Sequence, residues 1–94
     1  MDVRIGAVED NAARALALLG RAAHEGARLV VLPECALSGY CFASLDEALP
    51  YALPATAQPL SLFAERCREL DVSDVIGFLE RDAERCWNSA AVLA

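Results

Sequence analysis

Residues 26–34 read Gly-Ala-Arg-Leu-Val-Val-Leu-Pro-Glu, and this stretch decides the fold. Leu29 to Leu32 is a short apolar run without alternation, which fits a strand covered on both faces. Pro33 ends it, because proline has no N–H to give to a sheet ladder. Upstream, a helix is predicted from about Ala12 to Glu25. Asp10 and Asn11 can cap it, since their side-chain oxygens accept from the free N–H groups of a first turn. Leu16, Leu19 and Ala23 recur at helical spacing and mark its buried face. Gly26 supplies the left-handed stop. His24 falls in the last turn and reads as a surface residue. Helix, turn and strand make an αβ unit, so the fold class is α/β.

Downstream, residues 34–44 read as a loop containing Ser38-Gly39-Tyr40. Ser44 and Glu47 form a capping-box pattern for a short helix that stops at Pro50. Residues 51–58 read as a connector. A second amphipathic helix is predicted from about Pro59 to Leu70, with Leu60, Phe63, Cys67 and Leu70 on its buried face. Residues 75–79 and 86–93 are strands, paired as a hairpin across a polar turn at residues 80–85. The expected order is α-β-(α)-α-β-β in one domain, residues 1–94, without repeats.

Composition narrows the function. The chain has 94 residues and a net charge of −6, and its eight basic residues are all arginine. They form no cluster, so nucleic acid is not expected as a partner. No segment is apolar enough for a bilayer, and the N-terminus lacks the form of a secretory signal. Cys35, Cys41, Cys67 and Cys86 lack the spacing of a zinc site or a disulfide framework. They read as reduced thiols in a cytoplasmic protein, with no metal and no cofactor expected. The hydrophobic fraction of 56% is high for this length and suggests a piece that expects neighbours.

The candidate chemistry sits at Glu34. In open α/β sheets, ligands bind at the C-terminal ends of strands. Pro33 restricts the backbone there, and a partly desolvated carboxylate at such an edge can act as a general base. A glutamate in this setting can equally be a solvated loop residue. A nucleotide-binding half is disfavoured, because no glycine-rich loop links a strand to a helix.

Residues 26–40, GARLVVLPECALSGY, resemble the nitrilase superfamily, in which a buried strand ends in Pro-Glu before a Ser/Thr-Gly-Tyr turn. Residues 75–81 and 87–90, VIGFLER and WNSA, are similar to that family's Gly-x-x-Glu-Arg and Tyr-Asn-Ser-Ala hairpin. Trp87 stands where the family has tyrosine. The resemblance covers nearly the whole chain, but only the opening portion of a family domain.

The resemblance implies a partial α-β-β-α sandwich and a Glu-Lys-Cys triad hydrolysing an amide, nitrile or carbamoyl carbon. Glu34 matches the glutamate, the general base. Tyr40 is a substrate-binding candidate. The chain has no lysine, and no cysteine in it matches the nucleophile. Cys35 is expected to be a buried thiol pointing away from Glu34, and Cys67 and Cys86 core residues. Asn88 is expected to pin the hairpin through backbone bonds, Trp87 to cover the sheet, and Glu80 and Arg81 to be a solvated turn pair. Residues 3–9 read as the loop after a strand that family members have before the first helix. The chain is therefore expected to be a fragment, inactive alone, with an exposed inner sheet face that favours homo-oligomers. The alternative is a degenerate, non-catalytic folding or oligomerisation module.

Overall fold

The computed structural model describes residues 3–39 and 42–93. Helix α1 spans Val8–His24, strand β1 Leu29–Val31, helix α2 Leu45–Ala48, helix α3 Gln58–Leu70, strand β2 Ser73–Asp82 and strand β3 Arg85–Leu93. A 3-10 turn, Leu49–Tyr51, extends α2, so the helical path continues through Pro50 rather than stopping there. The three strands form one sheet in the order β1-β2-β3. β1 pairs parallel to β2 with Val30 opposite Asp74, and β2 pairs antiparallel to β3 with Gly77 opposite Ala90.

Helix α1 starts earlier than its capping residues suggested. Asn11 lies inside it, fully buried, and caps nothing. Its Oδ1 accepts from the Arg4 N–H at 2.9 Å, and its Nδ2 donates to the Arg4 and Leu37 carbonyls at 2.7 and 2.8 Å. Tertiary bonding has overridden a local capping preference, because a buried amide must spend its bonding groups where partners exist. Asn11 thereby ties the N-terminal segment to the loop after Glu34. Removing one partner of a buried bond costs about 1–3 kcal/mol. Asn11→Ala loses three bonds and is expected to destabilise the chain by about 2–3 kcal/mol, read as a lower urea midpoint with unchanged slope.

The helix end follows expectation. Gly26 takes φ +99°. The Ala27 N–H reaches the Ala22 carbonyl and the Gly26 N–H the Ala23 carbonyl, each at 3.0 Å. This pairing closes a helix and needs a residue that tolerates positive φ. Ser44 caps α2 as expected, with the Glu47 N–H donating to its Oγ at 3.2 Å.

Both long helices cover one face of the sheet. Ala15 and Leu19 of α1 and Leu60, Phe63 and Cys67 of α3 pack against Ile76 and Phe78 of β2, all buried. The opposite face is bare. Leu29 is 60%, Val31 68% and Val92 75% exposed. The expectation that β1 is covered on both faces is therefore wrong for this chain. Its apolar run is partly covered on the Val30 side alone, because among the described residues no second layer lies on the other. Exposure of the inner sheet face is as expected. Among the described residues, no strand precedes α1.

The hairpin is longer than its polar residues suggested. Pairing continues to Asp82 opposite Arg85, leaving a two-residue turn with Ala83 at φ +54°. Glu80 and Arg81 are strand residues, not a turn pair. Ser89 Oγ donates to Glu80 Oε1 at 2.9 Å, and Arg81 Nε donates to the Ala83 carbonyl at 2.8 Å. The connector adds a rung to the sheet: the Leu53 N–H donates to the Leu79 carbonyl and the Arg81 N–H to the Leu53 carbonyl, both at 2.8 Å. Trp87 is exposed and does not cover the sheet, because its place opposite Glu80 lies beyond the helices.

Candidate functional site

The chain leaves β1 at Val31 and turns sharply. The Leu32 N–H still bonds to β2, donating to the Val75 carbonyl at 2.7 Å. After Pro33, residues 34–38 form a turn in which Cys35 adopts φ +49°. The Ala36 N–H then donates to the Gly77 carbonyl at 2.9 Å. The start of the turn, residues 33–35, therefore crosses over β2 at Gly77, and Ala36 and Leu37 return to the core beneath the helices.

Gly77 makes this possible. A Cβ at that position would sit 2.7 Å from Glu34 Cα, 2.8 Å from the Pro33 carbonyl oxygen and 2.9 Å from the Cys35 nitrogen. All three are backbone atoms, so no rotamer change could relieve the collision. A missing side chain in mid-strand marks a close backbone approach, and here the approaching backbone carries Glu34.

The seat brings Glu34 within reach of β3. Asn88 Nδ2 donates to Glu34 Oε1, and Cys35 Sγ donates to Asn88 Oδ1 at 3.7 Å. Three residues from two distant segments thus converge on one spot at the C-terminal end of β1. Sequence reading assigned Asn88 to backbone bonding within the hairpin; its side chain instead meets the candidate base. The earliest available sign was register, since Asn88 and Gly77 belong to the same face of the sheet. Cys35 is buried, as expected. It does not point away from Glu34, however, because its left-handed backbone is not strand-like. Burial raises the Cys35 thiol above its usual range, and the nearby Glu34 and Cys86 groups add to the rise. The group at this position is a neutral thiol rather than a thiolate nucleophile.

Glu34 itself is exposed. The desolvation expected at a strand edge is not provided by the described residues, which leave Glu34 open on its outer side. Tyr40 and Cys41 lie outside the described residues. Cys67 is a core residue as expected, whereas Cys86 is only half-buried, on the bare face rather than in the core. A groove of about 850 Å³ lies on the helical side between the starts of α1 and α3 and does not include Glu34. Among the described residues, no group of three or more acidic, histidine or cysteine side chains could hold a metal ion. No described helix is long and apolar enough to cross a membrane.

Comparison with known proteins places the chain in a family and supports its fold. The sequence profile described as Carbon-nitrogen hydrolase matches residues 2–94. A "Nitrilase" of Pyrococcus abyssi is 32% identical over 94 residues, covering 99% of this chain and 36% of the relative. A glutamine-dependent NAD(+) synthetase of Thermotoga maritima is 35% identical over 89 residues, covering 95% of this chain and 15% of the relative. Among solved structures, an N-terminal amidase with a Gln-Gly peptide superposes with a TM-score of 0.78 at 26% identity, over 96% of this chain and 22% of that one. A carbon–nitrogen hydrolase superfamily protein of Xanthomonas campestris shares the fold, with a TM-score of 0.80 at 21% identity, over 98% of this chain and 33% of that one. The chain thus spans about a third or less of the length of these relatives.

Proposed function

Because the chain belongs to the carbon–nitrogen hydrolase family, we propose that it is the opening part of a hydrolase of non-peptide C–N bonds, with Glu34 as general base. One observation carries the reading: Glu34 is seated over Gly77 at the end of β1, with its carboxylate on the bare sheet face. That face is where further chain can pack to close a pocket around it.

The chain has no lysine, so the cation that stabilises an oxyanion must come from elsewhere. We take the nucleophilic thiol from elsewhere too, because no cysteine of the chain matches the nucleophile's sequence context, and Cys35 and Cys67 are buried. In the proposed cycle, Glu34 takes the proton of that thiol, and the sulfur attacks the amide, nitrile or carbamoyl carbon. With an amide the C–N bond breaks, the amine leaves with the proton that Glu34 took from the thiol, and a thioester remains. Glu34 then takes a proton from water, which attacks the thioester and releases acid and thiol. Tyr40, six residues on in the same loop, stays a substrate-binding candidate on sequence grounds. The free thiols of Cys35, Cys67 and Cys86 suit a reducing, cytoplasmic setting.

The test is complementation. The chain is mixed with a separately produced remainder of a family domain bearing the lysine and cysteine, and ammonia release from small amides is followed. Turnover is expected on mixing and is expected to vanish with Glu34→Gln. Turnover that survives Glu34→Gln would end the assignment.

A non-catalytic association module is the second reading, favoured by the exposed Leu29, Val31 and Val92. It leads to a self-associating chain that gives no turnover with any remainder. Sedimentation of the chain alone, beside the mixing assay, separates the two readings.

A further inference from the structure

We propose that Asn88 is a positioning residue for Glu34, itself oriented by the Cys35 thiol, and that this three-residue clamp is complete within the N-terminal chain. The proposal rests on the reading of Glu34 as the base, and it adds a device that keeps that carboxylate aimed.

The argument starts from distance. Glu34 follows β1 and Asn88 lies on β3, with β2 between them. Neighbouring strands are about 5 Å apart, so side chains on β1 and β3 stand about 10 Å apart. A hydrogen bond across that span is out of reach for two residues in register. It forms here because the turn after β1 has climbed onto β2, where Gly77 offers no side chain to obstruct it. Gly77 thus sets how far Glu34 travels toward β3.

The chemistry then fixes how Asn88 is turned. A carboxylate only accepts, so the Asn88 NH₂ group must face Glu34. That leaves Asn88 Oδ1 facing Cys35 Sγ at 3.7 Å, where a donor is required. A protonated thiol is a weak donor and a thiolate is none. Burial and the adjacent Glu34 charge hold Cys35 in its protonated form. Each member therefore has the protonation and polarity that the next one needs. With Oε1 engaged by Asn88, Oε2 is left for the bare face, toward whatever closes over it.

Neither Glu34 nor Asn88 is buried, so their bond adds little to stability. Its consequence is orientation. A base misplaced by about 1 Å can cost about 100-fold in rate, and a free glutamate at an exposed turn samples several rotamers.

The first test uses the chain as it is. Side-chain couplings in NMR spectra are expected to show one Glu34 rotamer in the wild type. In Asn88→Ala, Glu34 is expected to average over rotamers while the rest of the amide spectrum stays in place. A Glu34 side chain already averaged in the wild type would overturn the clamp, whatever the catalytic role of Glu34.

The second test uses the complemented enzyme. Asn88→Ala is expected to lower kcat about 10- to 100-fold with KM unchanged. Cys35→Ser, which keeps a donor, is expected to retain more activity than Cys35→Ala. A merely structural role for Cys35 gives the reverse order, because alanine suits a buried apolar site better. Full kcat in Asn88→Ala beside an inactive Glu34→Gln would reject the clamp and leave the base assignment standing. Full activity in Glu34→Gln would reject the base assignment instead.

Discussion

Gly77→Ala is expected to lower the kcat of the complemented enzyme by about 100-fold, because it lifts the turn that carries Glu34 off the sheet. The added methyl would sit 2.7 Å from Glu34 Cα and under 3 Å from two more backbone atoms. Backbone cannot rotate aside as a side chain does, so the turn must shift as a body or β2 must bend. Either response strains the Ala36 N–H bond to the Gly77 carbonyl and draws Glu34 away from Asn88. Overpacking of this kind costs about 1–3 kcal/mol in stability, which a urea titration would show. Gly26→Ala is the control. Nothing lies within 4 Å of a Cβ there, and the penalty comes from its φ of +99° alone. That variant is expected to lose about 1 kcal/mol with kcat intact in the folded fraction. Equal rate losses in the two variants would mean that the seat at Gly77 has no special relation to Glu34.

Asp74→Val is expected to stabilise the chain by about 3 kcal/mol at pH 7. Asp74 lies in the central strand, facing the helices, with no exposed surface. Neither carboxylate oxygen has a hydrogen-bond partner. The Val75 N–H is near enough to ease the charge a little, but makes no bond of ordinary geometry. The Asp74 charge in turn adds to the rise that burial imposes on the Cys67 thiol of α3. Burial raises the Asp74 carboxyl from 3.8 to about 6.

The sign follows from proton binding. Between pH 4 and 6 the folded chain holds a proton that the unfolded chain has lost, so stability falls as pH rises through that window. Above about pH 6 the full penalty is present. At about 1.4 kcal/mol per unit, the shift corresponds to about 3 kcal/mol. Valine removes the ionisable group and suits a central strand. The advantage of Asp74→Val is therefore expected to shrink toward pH 4. Urea midpoints of both proteins at pH 4.5 and 7 test this, and a pH-independent difference would show that Asp74 does not carry the buried charge.

Signals carried by contiguous residues hold where the physics is local. Gly26 ends α1 because the helix terminus needs positive φ, and no distant residue takes part. Leu60, Phe63 and Cys67 face the core because 3.6-residue periodicity places them on one stripe of α3. Glu34 stood out because Pro-Glu after an apolar run is a contiguous pattern, and its matching hairpin gave the family. Asn11 misled for the same reason. Its position suggested a cap, yet its partners Arg4 and Leu37 appear only when the chain has folded back.

By itself, then, the sequence determined the α/β class, the order of elements, the family and the candidate base. These are properties of contiguous residues, set by propensity, periodicity and motif. Tertiary structure alone decided that β1 is bare on one face, that Gly77 is the floor beneath Glu34, and that Asn88 holds its carboxylate. The Glu34–Asn88 bond joins residues 54 apart in the chain. Such a contact exists only once pairing of β1, β2 and β3 fixes which side chains share a face, and a single sequence does not state that register.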